Sequence, residues 1–294
     1  MERIQLKALE KWLKSPHRKP LIVWGARQVG KTYLVKDLFA KRFFKEYVYI
    51  DLKKDEQACQ YFSTTSDADN YLTYIEARYG KKLDDKTLLI FDEVQQCHQV
   101  LSSLKYFCQD HREIPVIATG SLVRLSIRQM EKKDDSDSFL FPVGKIDSIT
   151  VFPVSFEEYL MNVNPVILEM IKKSYATKTA LENPYHDMAM DLLHEYLTIG
   201  GLPEALDIFI TEKSYVDAAR TLKEVYSNYL GDMDSYNIST DTILKTRNVY
   251  KNIFSQLNKE NKNFKVSMIQ AGKSNRDFFN AYEWLELAHV VYRC

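Results

Sequence analysis

The chain has 294 residues, 45% of them hydrophobic and 27% charged, and its 40 basic side chains balance 40 acidic ones. This is an ordinary globular composition, long enough for two or three compact units, and it excludes a molecule that holds polyanions by overall charge. No stretch approaches the roughly 20 apolar residues of a membrane span, and residues 1–10 are mixed in charge rather than an apolar signal, so a cytoplasmic protein is expected. Cys59, Cys97, Cys108 and Cys294 show neither CxxC pairing nor histidines at metal spacing, which predicts reduced thiols.

Residues 3–14 place Ile4, Leu6, Leu9, Trp12 and Leu13 at helical spacing, and Ser15-Pro16 ends that helix. Leu21-Ile22-Val23-Trp24 is a short, wholly apolar strand of the kind buried in a parallel sheet. Helices over 32–42, 69–79 and 100–110 then alternate with strands over 47–51, 88–92, 116–120 and 146–152. That rhythm predicts an α/β fold, a doubly wound parallel sheet spanning residues 1–153. Residues 131–138 are polar and mixed in charge, expected to be a surface loop. A helical lid is expected over 154–240 and a winged-helix-like unit over 241–294, with helices at 246–259, 266–271 and 274–287, the last capped by Ser274. The strand pattern at 289–294 has no partner after it, which predicts a chain cut short.

The chemistry is concentrated at strand tips. After the first strand comes Gly25-Ala26-Arg27-Gln28-Val29-Gly30-Lys31-Thr32, followed by a helix. Strand, GxxxxGKT and helix form the full context of a phosphate-cradling P-loop. Its glycines let the backbone close on phosphate oxygens, and successive amides supply positive potential. Lys31 is expected at the β- and γ-phosphates and Thr32 on magnesium, so the implied ligands are ATP and Mg2+. The nucleotide-contacting stretch is Gly25, Arg27, Gln28, Val29, Gly30, Lys31, Thr32 and Tyr33. Leu88-Leu89-Ile90-Phe91 ends in Asp92-Glu93: Asp92 is expected to hold the metal through water and Glu93 to polarise an attacking water. The next tip, Thr119-Gly120-Ser121, offers Ser121, then Thr119, as a γ-phosphate sensor.

The P-loop, Phe91-Asp92-Glu93-Val94-Gln95, the Thr-Gly-Ser tip, Phe152-Pro153-Val154-Ser155-Phe156-Glu157-Glu158-Tyr159 and Gly200-Gly201-Leu202-Pro203-Glu204 occur in this order. The set resembles the prokaryotic AAA-type ATPases near the STAND class, whose core is usually followed by a winged helix and a nuclease-like domain of unknown function. The resemblance covers most of the chain. It implies that Pro203 packs on the adenine and that Arg3 lies near the base. Relatives carry Gly-Arg where this chain has Gly144-Lys145, and lysine lacks the planar fork that grips a phosphate bidentately. Arg124 and Arg128 are the remaining candidates for an arginine finger. The nuclease-like domain is missing from this length of chain, so no nuclease activity is expected.

Residues 242–294 hold nine basic and four acidic side chains, a local excess of +5. With a helix-turn-helix pattern, this admits contact with DNA phosphates; the alternative is a unit that packs on the core and relays its state. The leading expectation is an Mg-dependent ATPase acting as a nucleotide-gated switch, slow without a partner and possible as an oligomer. The alternatives are a DNA-binding regulator with ATP as a structural ligand, and a small-molecule kinase, which would need an arginine-bearing lid.

Overall fold

The computed structural model describes residues 1–131, 141–235 and 239–292. Strands β1 (Leu21–Trp24), β2 (Glu46–Asp51), β3 (Thr87–Asp92), β4 (Val116–Thr119) and β5 (Asp147–Thr150) form one sheet in the order β2-β3-β4-β1-β5. All four pairings are parallel. Parallel neighbours cannot be joined by hairpins, so helices carry the chain back across the faces.

Side-chain alternation decides which face each residue builds. Leu21, Val23, Leu88, Ile90 and Ile117 point to one side. There they meet α1 (Gln5–Leu13) and a π-helix, Tyr33–Ala40, continued by α2 (Lys41–Phe43). Ile22, Trp24, Leu89, Phe91, Val116 and Ala118 point to the other side. They are covered by α3 (Glu56–Ser63), α4 (Ala68–Tyr79), α5 (His98–Asp110) and α6 (Val123–Glu131). The doubly wound expectation therefore holds. The expected α-helix over 32–42 instead begins in the wider π register, which nothing in its residues signals, and α3 fills a stretch that carried no expected element.

Beyond β5 the chain is helical. Ser155 and Glu158 close a reciprocal capping box that starts α7 (Phe156–Val163). It is followed by α8 (Pro165–Thr177), α9 (Asn183–Ile199), α10 (Pro203–Glu212) and α11 (Tyr215–Ser235). These pack around Val154, Tyr159, Leu206 and Phe209. Next come α12 (Thr240–Leu257), two 3-10 turns (Val266–Met268 and Asn275–Phe278) and α13 (Phe279–Leu287). Phe278, Trp284 and Leu285 share a core with Leu122 and Leu125, so this last unit packs directly on the start of α6.

Two expectations for the C-terminal unit differ from the structure. No strand, and hence no hairpin wing, occurs among the described residues after β5. Residues 289–292 do not form the expected strand, because the Val290 and Val291 amides bond back to the Leu285 carbonyl at the end of α13. Ser274 does cap with Asp277, but it opens a 3-10 turn before the α-helix. The polar loop expected at 131–138 lies outside the described residues apart from Glu131, as do Arg293 and Cys294. Among the described residues, no helix is long and apolar enough to cross a membrane.

Candidate active site

Every strand tip that carries a candidate residue emerges at one edge of the sheet, because parallel strands deliver their C-terminal ends together. β1 leads straight into the P-loop. Gly25 has φ +146°, and a Cβ there would stand 2.3 Å from the Val151 carbonyl oxygen, so only glycine fits. Gly30 has φ +87°, and a Cβ there would crowd Arg3 Nη1 at 3.2 Å and the Pro203 ring at 3.4 Å. Gln28 also takes a left-handed turn, φ 62°, and its Oε1 is buried with no hydrogen-bond partner among the described residues. Val29 is fully buried and anchors the loop in the core.

Lys31 is 7% exposed, and its ammonium donates to the Gly25 and Ala26 carbonyls at 3.1 and 2.6 Å. Burial lowers its pKa to about 8, against the raising influence of Glu93 and Asp92. Thr32 Oγ1 donates to Asp92 Oδ2 at 2.8 Å. Asp92 is 3% exposed, and two further donors hold it: the Tyr49 hydroxyl on Oδ2 at 2.7 Å and the Glu93 amide on Oδ1 at 2.9 Å. Glu93 sits in a left-handed turn, φ 55°, and its carboxylate accepts from Gln95 Nε2. Burial, with the Asp92 charge in addition, raises the Glu93 pKa, the direction that suits a carboxylate to accept a proton near neutrality.

At the β4 tip Ser121 is 9% exposed, while Thr119 is fully buried with its Oγ1 unpartnered among the described residues. Gly120 between them makes room for Gln95: a Cβ there would lie 2.2 Å from Gln95 Oε1. Pro203, first residue of α10, lies against Gly30. Arg3, 3% exposed, is a buried clamp beside the loop. It donates from Nε to Glu158 Oε1 (3.0 Å), from Nη1 to the Val29 carbonyl (2.9 Å) and from Nη2 to the Phe152 carbonyl (2.6 Å). Tyr33 turns outward, 40% exposed, and its hydroxyl accepts from the N-terminal ammonium at 2.8 Å.

Arg124 lays its guanidinium over the Trp24 ring, 5.1 Å from the centroid. The Arg128 side chain lies outside the described residues. Lys145 precedes β5, whose last residue Thr150 pairs with Trp24, so it lies at the opposite sheet edge from the loop. Four strand residues separate the two edges by roughly 13 Å.

The structure adds residues that the sequence did not single out. Asp232 on α11 pairs with the Arg27 guanidinium, and Tyr229, one turn earlier, donates to the Arg27 carbonyl at 2.9 Å. Tyr49 and Gln95 grip the two carboxylates. The Arg27 and Tyr49 contacts have no local signal, since they depend on elements that meet only in the folded chain, whereas Gln95 stands two residues from Glu93 in the Phe91–Gln95 stretch. Lys245 and Arg247, two of the nine C-terminal basic residues, are paired with Asp241 and Asp234.

Comparison with known proteins agrees with this geometry. Residues 17–160 match a family model described as AAA domain, and residues 190–294 match one described as Domain of unknown function (DUF8612). The chain is similar in structure to the Walker-type ATPase PABY2304 of Pyrococcus abyssi, at 15% identity and a TM-score of 0.53, covering 97% of this chain and 88% of that one. AMPPCP-bound DnaA from Aquifex aeolicus aligns at 12% identity and a TM-score of 0.36, covering 97% and 87%. No curated protein matches the chain significantly. The parallel sheet, the loop between β1 and the π-helix and the matched family model together support a P-loop domain of the AAA type over residues 17–160.

Proposed function

We propose that this protein binds ATP with magnesium, hydrolyses it, and uses the cycle as a conformational switch. One observation carries the reading: Lys31 and Thr32 at the end of the P-loop stand beside Asp92, with Thr32 Oγ1 2.8 Å from the carboxylate. A hydroxyl and a carboxylate so placed suit a hard divalent cation. Among the described residues no group of three His, Cys, Asp or Glu could hold a metal alone, so the remaining ligands would be water and phosphate oxygens. When bound, magnesium would neutralise phosphate charge during transfer.

The residues then take distinct roles. The P-loop amides and Lys31 bind the β- and γ-phosphates. Thr32 and Asp92 hold the metal. Glu93 accepts a proton from the attacking water, with Ser121 or Thr119 sensing the γ-phosphate from the β4 tip. Arg3 braces the loop from below, since all three of its side-chain nitrogens already donate to protein acceptors. Pro203, beside Gly30, provides an apolar wall for the base and carries the site to α10.

The resemblance in fold to a Walker-type ATPase points in the same direction. No geometry favours a DNA-binding regulator or a small-molecule kinase. The deciding experiment replaces Glu93 by Gln. Binding of ATP should persist in calorimetry while phosphate release falls by about a hundredfold or more; persistent turnover would remove Glu93 from its role.

A further inference from the structure

Asp92 has more hydrogen-bond donors than a metal-binding carboxylate requires. Each carboxylate oxygen offers two lone pairs. Oδ2 receives Thr32 Oγ1 at 2.8 Å and the Tyr49 hydroxyl at 2.7 Å, and Oδ1 receives the Glu93 amide at 2.9 Å. Of the four lone pairs, one on Oδ1 is left. Thr32 has its own reason to be there, since a hydroxyl that coordinates a cation still has a proton to give to a neighbouring acceptor. Tyr49 has no such reason, and the P-loop motif does not include it.

The sheet explains how Tyr49 gets there. In the parallel register of β2 and β3, Tyr49 stands opposite Ile90. Asp92 lies two residues further along the same face, a diagonal neighbour within reach of a long aromatic side chain. Above the sheet the π-helix places the Lys36 ammonium over the Tyr49 ring, 4.1 Å from its centroid. A cation on the ring face withdraws charge from the phenol and makes its hydroxyl a stronger donor.

We propose that Tyr49 is a positioning residue for the magnesium-binding carboxylate. It fixes the rotation of Asp92 about its terminal torsion, which is otherwise broad for aspartate, so that the open lone pair of Oδ1 faces the metal's water. The inference rests on the ATP-magnesium reading above and specifies how strongly that metal is held. Groups that orient a ligand from outside the metal's own shell typically change metal affinity by 10- to 100-fold.

The test is Tyr49→Phe, which keeps the ring, its packing and the Lys36 contact and removes only the hydroxyl. Calorimetry with a non-hydrolysable ATP analogue gives nucleotide affinity in EDTA. A Mg2+ titration of the protein–analogue complex then gives metal affinity, and Mn2+ read by electron paramagnetic resonance gives it independently of turnover. The expected result is unchanged affinity in EDTA and a half-saturating metal concentration raised by about tenfold. Unchanged metal affinity overturns the proposal. An equal loss of nucleotide affinity with and without metal also overturns it, because Tyr49 would then support the loop rather than the carboxylate. If the wild-type protein binds no analogue at all, the ATP reading itself fails, an outcome distinct from any effect of Tyr49.

Discussion

Arg27 and Asp232 lie 205 residues apart and form an ion pair at the phosphate loop, with Tyr229 holding the carbonyl of the same arginine at 2.9 Å. Three of the four groups that meet here, the two side chains of α11 and the guanidinium, depend on how α11 docks. The Arg27 side chain is 36% exposed, so the pair itself contributes less than about 1 kcal/mol to stability. The pair joins the loop to α11, which predicts that a change at the loop is felt by α11. ATP analogue should slow hydrogen exchange across residues 215–235 in the wild-type protein. In Asp232→Ala that response should shrink by at least half while nucleotide still binds. Full retention of the response would show that α11 is not linked to the loop through this pair.

Gly25 answers a different question, whether the loop geometry is required. Alanine there meets the Val151 carbonyl at 2.3 Å in a backbone region that side chains rarely adopt. Gly25→Ala should lower stability by about 1–3 kcal/mol in urea titration and weaken nucleotide binding with it. A variant as stable as the wild type would mean that the β1-to-loop turn has room that its geometry denies.

The Arg3–Glu158 pair has both side chains only 1% exposed and ties the segment before α1 to α7. Removing one partner leaves a buried charge without its counter-ion, so Arg3→Met should cost about 3–5 kcal/mol, and Arg3→Met with Glu158→Gln, which removes the charge and keeps an acceptor for the capping box, less. Denaturant midpoints of the two variants compare these directly. Equal losses would mean that the Val29 and Phe152 contacts, not the ion pair, hold Arg3.

His289 supplies a pH dependence. Burial, and then the charges of Arg124 and Lys31, lower its pKa to about 4 from 6.5. The unfolded chain thus takes up a proton near pH 6.5 that the folded chain refuses until about pH 4. This contribution is complete above 6.5 and is lost progressively as pH falls toward 4. Asparagine tolerates the left-handed backbone at this position, φ 56°, so His289→Asn removes the ionisation with little strain. Its stability should fall less than that of the wild type between pH 7 and pH 4.5. Parallel declines in urea midpoints would place the acid sensitivity elsewhere.

The residues that carry the expected chemistry were readable because their signals are local. GxxxxGKT between an apolar strand and a helix, and a strand ending in Asp92-Glu93, each need only a few neighbouring residues to be recognised. The same holds for the parallel sheet, since short all-apolar strands alternating with helical patterns cannot be hairpins. Ser274 was legible for the same reason, as a cap is set by residues three apart.

Tertiary structure decided the rest. Arg3 carries no local sign of a clamp until α7 brings Glu158 to it. Tyr49 is one of two tyrosines in Glu46–Asp51 until the β2–β3 register sets it diagonal to Asp92. Residues 289–292 have a strand's alternation but end as a turn on α13, because the backbone bonds a strand needs come from a neighbour, and here the neighbour is a helix terminus. Sequence by itself determined the phosphate loop, the two carboxylates and the layered α/β core. The contacts of Tyr49 with Asp92 and of Arg27 with Asp232 join residues 43 and 205 positions apart and exist only once the sheet register and helix docking are in place.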